Sequence, residues 1–477
     1  MMMKKKGIGL VVLLLMLLTI LTACAQSNNK NPLDPEKPIT VTIWHYYNSS
    51  TKEKFDALVN TFNETIGLEE GIVIDAQSQG DVNQLANAVF DAANQAIGSS
   101  PMPDIFASYP DNAYRVSQIV PLIPLTSYFT EEELKLYRSE FLEEGKFVTD
   151  NTYYILPIAK SSENLYINQT NWEPFATENG LSELDLQTWE GLYRVSKLYY
   201  EQTGNSFFGF DATANFMMAA AMQMGEEIFT YNEDGSAKLT LSKEKAKLIW
   251  DYYYVPYING YYAKTGRFSS DDAKTGTVIA YTGSTAGAGY FPTEVTKEDQ
   301  TVYKIEPLVL PYPYFESGDK IAIQQGAGMC ISKSDYAHEY AASLFLKWLT
   351  SPEQNIDFAV STGYFPVQNS AMDSDKLIEA SDKAERTNPA IHQSIASSIK
   401  MFDTYTLYNS KPFNGSYDMR VFLDADLLDK VTNDITTLDK RVAAGESREK
   451  VIRELISETN FDSWYNHLLT EAELIMK

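Results

Sequence analysis

Strand-like and helix-like segments alternate between residues 39 and 108, and this alternation limits the possible folds more than any other feature. The runs ITVTIW, IVIDA and PDIFAS are rich in β-branched or apolar residues, which is typical of strands. Between them, residues 51–64 place apolar side chains at i, i+3, i+4 and i+7, and residues 81–97 carry a second apolar stripe. A βαβαβ order predicts a mostly parallel sheet with helices on both faces.

The later part of the chain continues this pattern and is too long for one core. About 440 residues follow the leader, which favours two or three packed units. Thr188 and Gly204 are placed to start and end one helix. Ser351 and Pro352 predict the start of another helix, which Gly363 ends.

The first 23 residues have the pattern of an export signal peptide. Three lysines precede an apolar run from residue 8 to 21, which is shorter than the roughly 20 residues of a spanning helix. The run ends in Leu-Thr-Ala-Cys, which resembles the lipobox of bacterial lipoproteins, and Cys24 is the predicted lipidation site. Residues 24–38 are polar and predict a flexible tether. The alternative is a signal anchor with an incidental cysteine.

The charge of the chain excludes one large class of partners. The formal net charge is −25, and removal of the leader takes three lysines and no acids, which leaves −28. Nucleic acid is therefore not expected as a partner, because phosphate binding requires a basic face. If Cys24 is lipidated, Cys330 has no intramolecular partner, and its apolar surroundings predict a buried, inert thiol.

The sequence lacks the signatures of common enzymes. The four histidines are too scattered to predict a metal site, and no cofactor is predicted. No G-x-S-x-G, H-E-x-x-H or phosphate-loop motif is present. The glycine-rich residues 282–289 are either a plain turn or a turn that lines a ligand. Since 64 acids make chance pairs common, a secreted lipoprotein glycoside or phosphodiester hydrolase remains the alternative function.

Several stretches, in their order and spacing, resemble one protein family. They are MPDIFAS, YYILPIAKSSENLYIN, YTGSTAG and GAGMCISKSDYAHEYAASLFLKWLTSPEQNIDFAVSTGYFPVQNSAM. They are similar to the extracellular solute-binding proteins of ABC importers, carbohydrate-type family 1. The resemblance implies a binding protein, not an enzyme, with an α/β type II periplasmic-binding-protein-like fold. Each of its two lobes is expected to be a mostly parallel sheet flanked by helices, and crossing hinge segments are expected to join the lobes.

The resemblance also implies where the protein works and with what. We expect a lipid anchor on the extracytoplasmic face of the cell membrane, a carbohydrate-class solute held between closing lobes, and an ABC permease as partner. The first lobe is expected to comprise residues 39–155 and 315–352. The second lobe is expected to comprise residues 156–314 and 353–477.

Within this group the chain is most similar to the glycerol-3-phosphate-binding proteins. The segment PFNGSYDMRVFLDADLLDKV resembles the one that holds the family's phosphate-contacting arginine, which falls here on Arg420. Other ligand-contacting positions fall on Ser162, Ser284, Gly326 and Tyr364.

Two positions of that site depart from the pattern. A tyrosine of the family aligns near Val82, and a glutamate aligns near Pro110, which leaves Asp111 as the neighbouring acid. Glycerol 3-phosphate, a related phosphodiester and a sugar therefore all remain open as the solute.

Side-chain chemistry supports a ligand-binding role for each candidate residue and also a structural alternative. The guanidinium of Arg420 suits a phosphate through two parallel hydrogen bonds, whereas the alternative is a salt bridge to Asp418 or Asp424. Tyr364 offers a sugar a flat face and a hydroxyl, and the alternative is simple packing. Ser162 is equally compatible with an ordinary turn, and the same holds for Ser284.

Three further candidates follow from the position of the first predicted strand. Trp44, His45 and Tyr46 lie at its carboxyl end, where open α/β sheets bind their ligands. Trp44 is equally compatible with a core position.

Overall fold

The computed structural model describes residues 31–147, 149–385 and 388–476. The predicted leader and the lipidation site Cys24 lie outside the described residues. Within the described ranges, no helix has both the length and the apolar character needed to cross a membrane.

The chain folds into short strands and many helices. In chain order the strands are β1 Ile39–His45, β2 Ile72–Ser78, β3 Ile105–Ser108, β4 Glu163–Asn168, β5 Phe208–Phe210, β6 Phe229–Tyr231, β7 Ala237–Leu239, β8 Ala280–Ser284, β9 Glu294–Thr296, β10 Val302–Lys304, β11 Pro307–Pro311, β12 Ile321–Ile323, β13 Gly328–Ile331 and β14 Thr406–Tyr408.

The α-helices are α1 Ser49–Glu64, α2 Ile66–Glu70, α3 Val82–Ala93, α4 Pro110–Ser117, α5 Glu131–Leu134, α6 Ser139–Glu143, α7 Gln169–Asn179, α8 Trp189–Thr203, α9 Thr213–Gln223, α10 Lys243–Tyr252, α11 Tyr254–Asn259, α12 Ser269–Thr275, α13 Tyr336–Leu349, α14 Pro352–Thr362, α15 Ser374–Glu385, α16 Pro389–Thr404, α17 Ser416–Ala443, α18 Arg448–Leu455 and α19 Glu458–Ile475. Short 3₁₀ helices occur at Leu125–Ser127, Glu183–Leu186, Thr285–Tyr290 and Asn369–Ala371.

The first lobe is built on a four-stranded sheet with the order β13-β3-β1-β2. β1 pairs in parallel with β2 and β3, and β13 pairs antiparallel with β3. Val41 and Ile43 of β1 are fully buried in one core with Phe55 and Phe62 of α1. The order of strands and helices predicted for residues 39–108 is therefore confirmed, because the apolar stripe of each helix packs on the sheet.

The second lobe is built on a sheet with the order β11-β4-β8-β5, and its pairing is mixed. β4 is antiparallel to β8 and β11, and only β5 is parallel to β8. The expected mostly parallel pairing thus describes the first sheet and not this one. The reason is the chain path: β4 starts at the junction between the lobes, at Glu163, and β8 returns to that junction at its partner Ser284.

The C-terminal helices pack on the second lobe. The long helix α17 buries Met419, Leu423, Leu427 and Val431, which recur every four residues and so form one apolar stripe. This stripe lies in the same core as α9 and α11. The first turns of α17 also reach α4 of the first lobe, so that this helix spans the junction.

Three backbone segments cross side by side between the lobes. They are joined by the bridges Leu156–Met329, Ser161–Gln325 and Lys160–Phe365. The second core includes Phe315 and Ile323, whereas the first core includes Ala327 and Phe358. The expected lobe bounds remain predictions, and this packing favours crossings near residues 160, 325 and 365, later than the sequence suggested.

Candidate functional site

Two cavities meet at one arginine in the junction between the lobes. The outer cavity, of about 410 Å³, lies between the first sheet and helix α17, and its walls include Tyr46, Tyr109, Tyr417 and Asp424. The inner chamber, of about 50 Å³, lies behind it against the second lobe. Tyr109, Asp111 and Arg420 belong to the walls of both.

The first lobe contributes side chains from the carboxyl ends of two neighbouring strands. Tyr46 directly follows β1, and Tyr109 directly follows β3. Asp111 lies in the first turn of α4, which starts at Pro110 immediately after the strand. Because open α/β sheets leave a crevice outside the carboxyl ends of their strands, this position is where a ligand site is expected.

Helix α17 supplies the opposite wall. Tyr417, Arg420 and Asp424 are three and four residues apart, so that they lie on one face of the helix. Asp424 is fixed there because its Oδ1 accepts a hydrogen bond of 2.9 Å from the backbone N–H of Ala214 in α9.

Arg420 has unused hydrogen-bond donors. Its Cζ lies 5.0 Å from the centroid of the Tyr109 ring, and within the described part of the chain it makes no hydrogen bond and no ion pair. The alternative salt bridge to Asp418 or Asp424 therefore does not form. Burial alone would lower the pKa of Arg420, but the nearby Asp111 and Asp424 outweigh it and raise that pKa.

The first residue of β4, in the second sheet, adds a buried carboxyl group. Glu163 is 2% exposed, and its Oε2 has no hydrogen-bond partner among the residues that the structure describes. Burial raises the pKa of Glu163 to about 8, and the charges of Asp211 and Asp424 act in the same direction. The charge of Arg420 acts in the opposite direction. Glu163 therefore belongs electrostatically to the same cluster as the arginine.

The structure brings some of the predicted site residues together. Tyr46, Asp111 and Arg420 all line the outer cavity. Tyr364 is connected to them, because its hydroxyl lies 3.3 Å from the hydroxyl of Tyr46. Tyr364 is also buried in the first core, where its ring lies parallel to that of Phe358 with the two centroids 6.4 Å apart.

Two predicted site residues point into the first core instead of the cleft. Trp44 is 4% exposed, and its indole nitrogen donates to Gln77 Oε1 at 3.2 Å. His45 is fully buried, and its Nδ1 accepts from the backbone N–H of Tyr47. Burial lowers the pKa of His45 to about 4. Because successive side chains of a strand point to opposite faces, His45 continues the buried face of Val41 and Ile43, whereas Trp44 is buried on the other face of the sheet.

The remaining predicted site residues lie at the crossings. Ser162 donates its hydroxyl hydrogen to the carbonyl of Ile323, and the carbonyl of Ser284 accepts from Tyr166. Gly326 has a φ of +92°, and its N–H donates to the hydroxyl of Tyr109 at 3.2 Å. A side chain at Gly326 would meet the carbonyl oxygen of Ala159, so that this glycine allows the crossing segments to approach closely.

A buried ion pair connects the crossings. Lys160, which is 1% exposed, donates to the carboxylate of Glu144 and to the carbonyl of Gly326. The same carboxylate accepts from Nε2 of Gln324. This pair joins two crossing segments to helix α6 and its C-terminal end in the first lobe.

Contacts between the lobes also occur away from the crossings. Arg267 Nη2 lies 2.6 Å from Asp81 Oδ2, at the N-terminus of α3. On another side, the Arg115 guanidinium stacks on Tyr417 of α17, with Cζ 3.7 Å from the ring centroid. The two lobes therefore touch on two sides of the outer cavity.

Sequence reasoning missed several residues of this site. Tyr109 follows a strand end just as Tyr46 does, so that the same rule applied to β3 would have found it. Tyr417 and Asp424 share a helical face with Arg420, and helical spacing around that arginine would have found them. For Gln324 and Glu163 we find no sequence signal, because their roles depend on burial.

Comparison with known families and structures identifies the class of protein. Residues 57–386 match the family of bacterial extracellular solute-binding proteins, and the chain belongs to this family. The resemblance to extracellular solute-binding proteins is thus confirmed, whereas the finer resemblance to the glycerol-3-phosphate-binding proteins remains a prediction. No curated protein sequence matches this chain closely enough to count as a relative.

Solved structures show the same two-lobed fold at low sequence identity. One is a cyclic alpha-maltosyl-1,6-maltose binding protein from Arthrobacter globiformis, with 18% identity, a TM-score of 0.64, and 92% of this chain and 99% of that chain covered. Another is UgpB from Mycobacterium tuberculosis in complex with glycerophosphocholine, with 18% identity, a TM-score of 0.61, and 88% and 100% covered. A third is the ABC substrate-binding protein Lmo0181 from Listeria monocytogenes in complex with cycloalternan, with 15% identity, a TM-score of 0.64, and 90% and 100% covered.

Proposed function

We propose that this protein is the solute-binding lipoprotein of an ABC import system and that it captures a carbohydrate-class solute in the outer cavity. The observation that carries the proposal is the position of Arg420. This residue has free hydrogen-bond donors, it contacts the ring of Tyr109, and it lines a cavity of about 410 Å³ between the two lobes. Tyr46 and Tyr417 offer further aromatic surface for a sugar ring.

The charges around Arg420 favour a neutral carbohydrate. Asp111 and Asp424 act on its guanidinium, so that an incoming phosphate dianion meets repulsion as well as attraction. Hydroxyl groups avoid this repulsion because they accept from the arginine and donate to the carboxylates. The sugar-binding structures compared above are consistent with this choice.

A phosphorylated polyol is the second candidate, and one observation favours it. Arg420 has no ion-pair partner in the described ranges, and a half-buried cation without a partner suits an anionic ligand. Glycerol 3-phosphate and its diesters would place a phosphate there, as the resemblance to glycerol-3-phosphate-binding proteins suggested. The complex of UgpB with glycerophosphocholine supports testing such a diester.

The mechanism we propose is capture followed by closure. A solute that contacts both Tyr109 of the first lobe and Arg420 of α17 stabilises the closed arrangement by its differential affinity for it. The crossing segments near residues 160, 325 and 365 act as the hinge. An ABC permease then recognises the closed form, and the solute is released unchanged. A hydrolase is not favoured, since the family and the structures compared are binding proteins.

The location follows from the leader. We propose that Cys24 carries the lipid that holds the protein on the extracytoplasmic face of the membrane, with residues 24–38 as tether. In intact cells, Cys24→Ser should shift the protein from the membrane fraction to the medium. Retention of this variant in the membrane fraction would contradict the lipid anchor.

Two measurements test the main proposal together: whether a solute binds, and whether it is recovered chemically unchanged. We expect thermal stabilisation and calorimetric binding with maltotriose, or with glycerol 3-phosphate or glycerophosphocholine, and recovery of the same compound by mass spectrometry. Arg420→Ala should abolish binding of a phosphate ester and weaken binding of a neutral sugar. Failure of every carbohydrate and polyol phosphate to bind would contradict the proposal, and conversion of the bound compound would support the hydrolase.

A further inference from the structure

The inner chamber carries polar groups that the protein itself leaves unsatisfied. Its walls combine the first turns of α17, the loop of residues 409–413, Ala214 of α9 and the crossing residue Gln324. The wall residues with free hydrogen-bonding capacity among the described residues include Gln324, Ser416 and Arg420.

Gln324 is held as a hydrogen-bond acceptor. It is 5% exposed, and its Nε2 donates to the carboxylate of Glu144 and to the carbonyl of Glu140. These two bonds use both amide hydrogens, so that they fix the orientation of the side-chain amide. Among the described residues Oε1 is buried without a partner, so that a donor on a ligand would satisfy it.

Ser416 adds a hydroxyl that can donate and accept. The residue is 7% exposed at the first position of α17, and its backbone N–H already bonds to the carbonyl of Phe413. Its Oγ is buried without a partner. Arg420, one helical turn further along, supplies free donors on the same side of the helix.

This set of groups selects a ligand that both donates and accepts. A hydroxyl group donates to Gln324 Oε1 and accepts from Arg420, and a second hydroxyl pairs with Ser416. A fully ionised phosphate has acceptors only, so that Gln324 Oε1 would stay unsatisfied. It would also approach Asp111, which lines the same chamber, and Glu144, which is bonded to Gln324.

The size of the chamber limits what enters it. A buried water needs roughly 10–15 Å³ of such space, so that about 50 Å³ holds about three to five waters or a group of similar size. A hydroxymethyl group or a vicinal diol has this size, whereas a complete sugar ring does not. The ring would remain in the outer cavity, beside the tyrosines.

We propose that the inner chamber is a subsite for the diol-bearing end of a neutral carbohydrate, hydrogen-bonded by Gln324, Ser416 and Arg420. The rest of the solute occupies the outer cavity, and to this extent the inference rests on the proposed function. The consequence is that the protein recognises the diol-bearing end of its solute in addition to a sugar ring.

Crystals test the chamber without knowledge of the solute. The protein, purified in detergent from the expressing cells, is crystallised and soaked separately with ethylene glycol and with sodium phosphate. We expect ethylene glycol within hydrogen-bond distance of Gln324 Oε1 and Ser416 Oγ in the wild type and not in Ser416→Val, and no phosphate in the chamber. Phosphate in the chamber, or water alone in both soaks, overturns the proposal. Ethylene glycol in the wild type and in Ser416→Val alike is an adventitious additive only and also overturns it.

Calorimetry with maltotriose supplies the solution test. Loss of one hydrogen bond in Ser416→Ala should weaken binding about 2- to 10-fold, and the bulkier Ser416→Val should weaken it further. Ser463→Ala and Ser463→Val, at an exposed serine of α19, are the matched controls and should bind as the wild type does. Unchanged binding by both Ser416 variants overturns the subsite. If maltotriose does not bind the wild type, the neutral-sugar choice fails, and the crystal soaks alone decide on the chamber.

Discussion

The buried Glu163 makes stability depend on pH in a defined direction. Its pKa rises from 4.5 to about 8 in the folded protein, with burial as the largest cause. In the unfolded chain the carboxyl group loses its proton near pH 4.5, whereas in the folded chain it keeps the proton until about pH 8. Between these values the folded state binds more protons than the unfolded state, so that stability falls as pH rises.

The magnitude follows from the two pKa values. One pKa unit corresponds to about 1.4 kcal/mol, so that this group lowers the free energy of unfolding by about 3 to 4 kcal/mol between pH 5 and pH 8. Glu163→Gln keeps the size of the side chain and removes the titration. The variant should therefore be close to the wild type at pH 5 and clearly more stable at pH 8.

Urea denaturation at a series of pH values measures this difference directly. Because other groups titrate in both proteins, the quantity to follow is the difference in the free energy of unfolding between variant and wild type. Glu178→Gln, at an exposed position of α7, is the matched control and should show no such trend. A difference between Glu163→Gln and wild type that does not change with pH would refute the reasoning.

Three further predictions follow from contacts at the lobe junction and in the first core. Arg267→Ala removes an exposed ion pair with Asp81, worth about 0–1 kcal/mol, and should increase the radius of gyration in X-ray scattering while leaving the melting temperature nearly unchanged. Lys160→Met leaves Glu144 buried without its cation and should cost about 3–5 kcal/mol in urea unfolding, part of which Glu144→Gln in the same chain restores. Cys330 should not react with a thiol reagent until the protein is unfolded, because burial raises its pKa; rapid reaction of the native protein would contradict this.

Some parts of the site were accessible to sequence reasoning for a physical reason. Strand ends and helix caps are local, so that Tyr46 after β1, and Thr188 and Gly204 at the ends of α8, lie where the pattern placed them. Asp111 and Arg420 also line one cavity, and their role in ligand binding remains a prediction. Trp44 and His45 differ, because the same local rule does not say which side chains of a strand end turn into the core.

The lobe bounds show a second limit of local pattern. The helix α14 begins at Pro352 as predicted, yet its Phe358 packs in the first core, whereas the sequence assigned residues after 352 to the second lobe. Which core a helix joins depends on how the chain crosses between the sheets. The spacing of apolar residues within the helix does not indicate which core it joins.

By itself, the sequence determined the alternation of strands and helices in the first lobe, and it predicts an export leader that ends at Cys24 and, from the net charge, no nucleic-acid partner. These properties depend on residues that are close in the sequence or on the total charge of the chain, so that they follow from the sequence directly. Only the tertiary structure decided that, within the described residues, Arg420 has no ion-pair partner, Glu163 is buried, and Gln324 keeps a free acceptor. Each of these also depends on groups far apart in the sequence, such as Glu144 and Gln324, and burial, which sets the sign of the effect, exists only once the lobes have packed together.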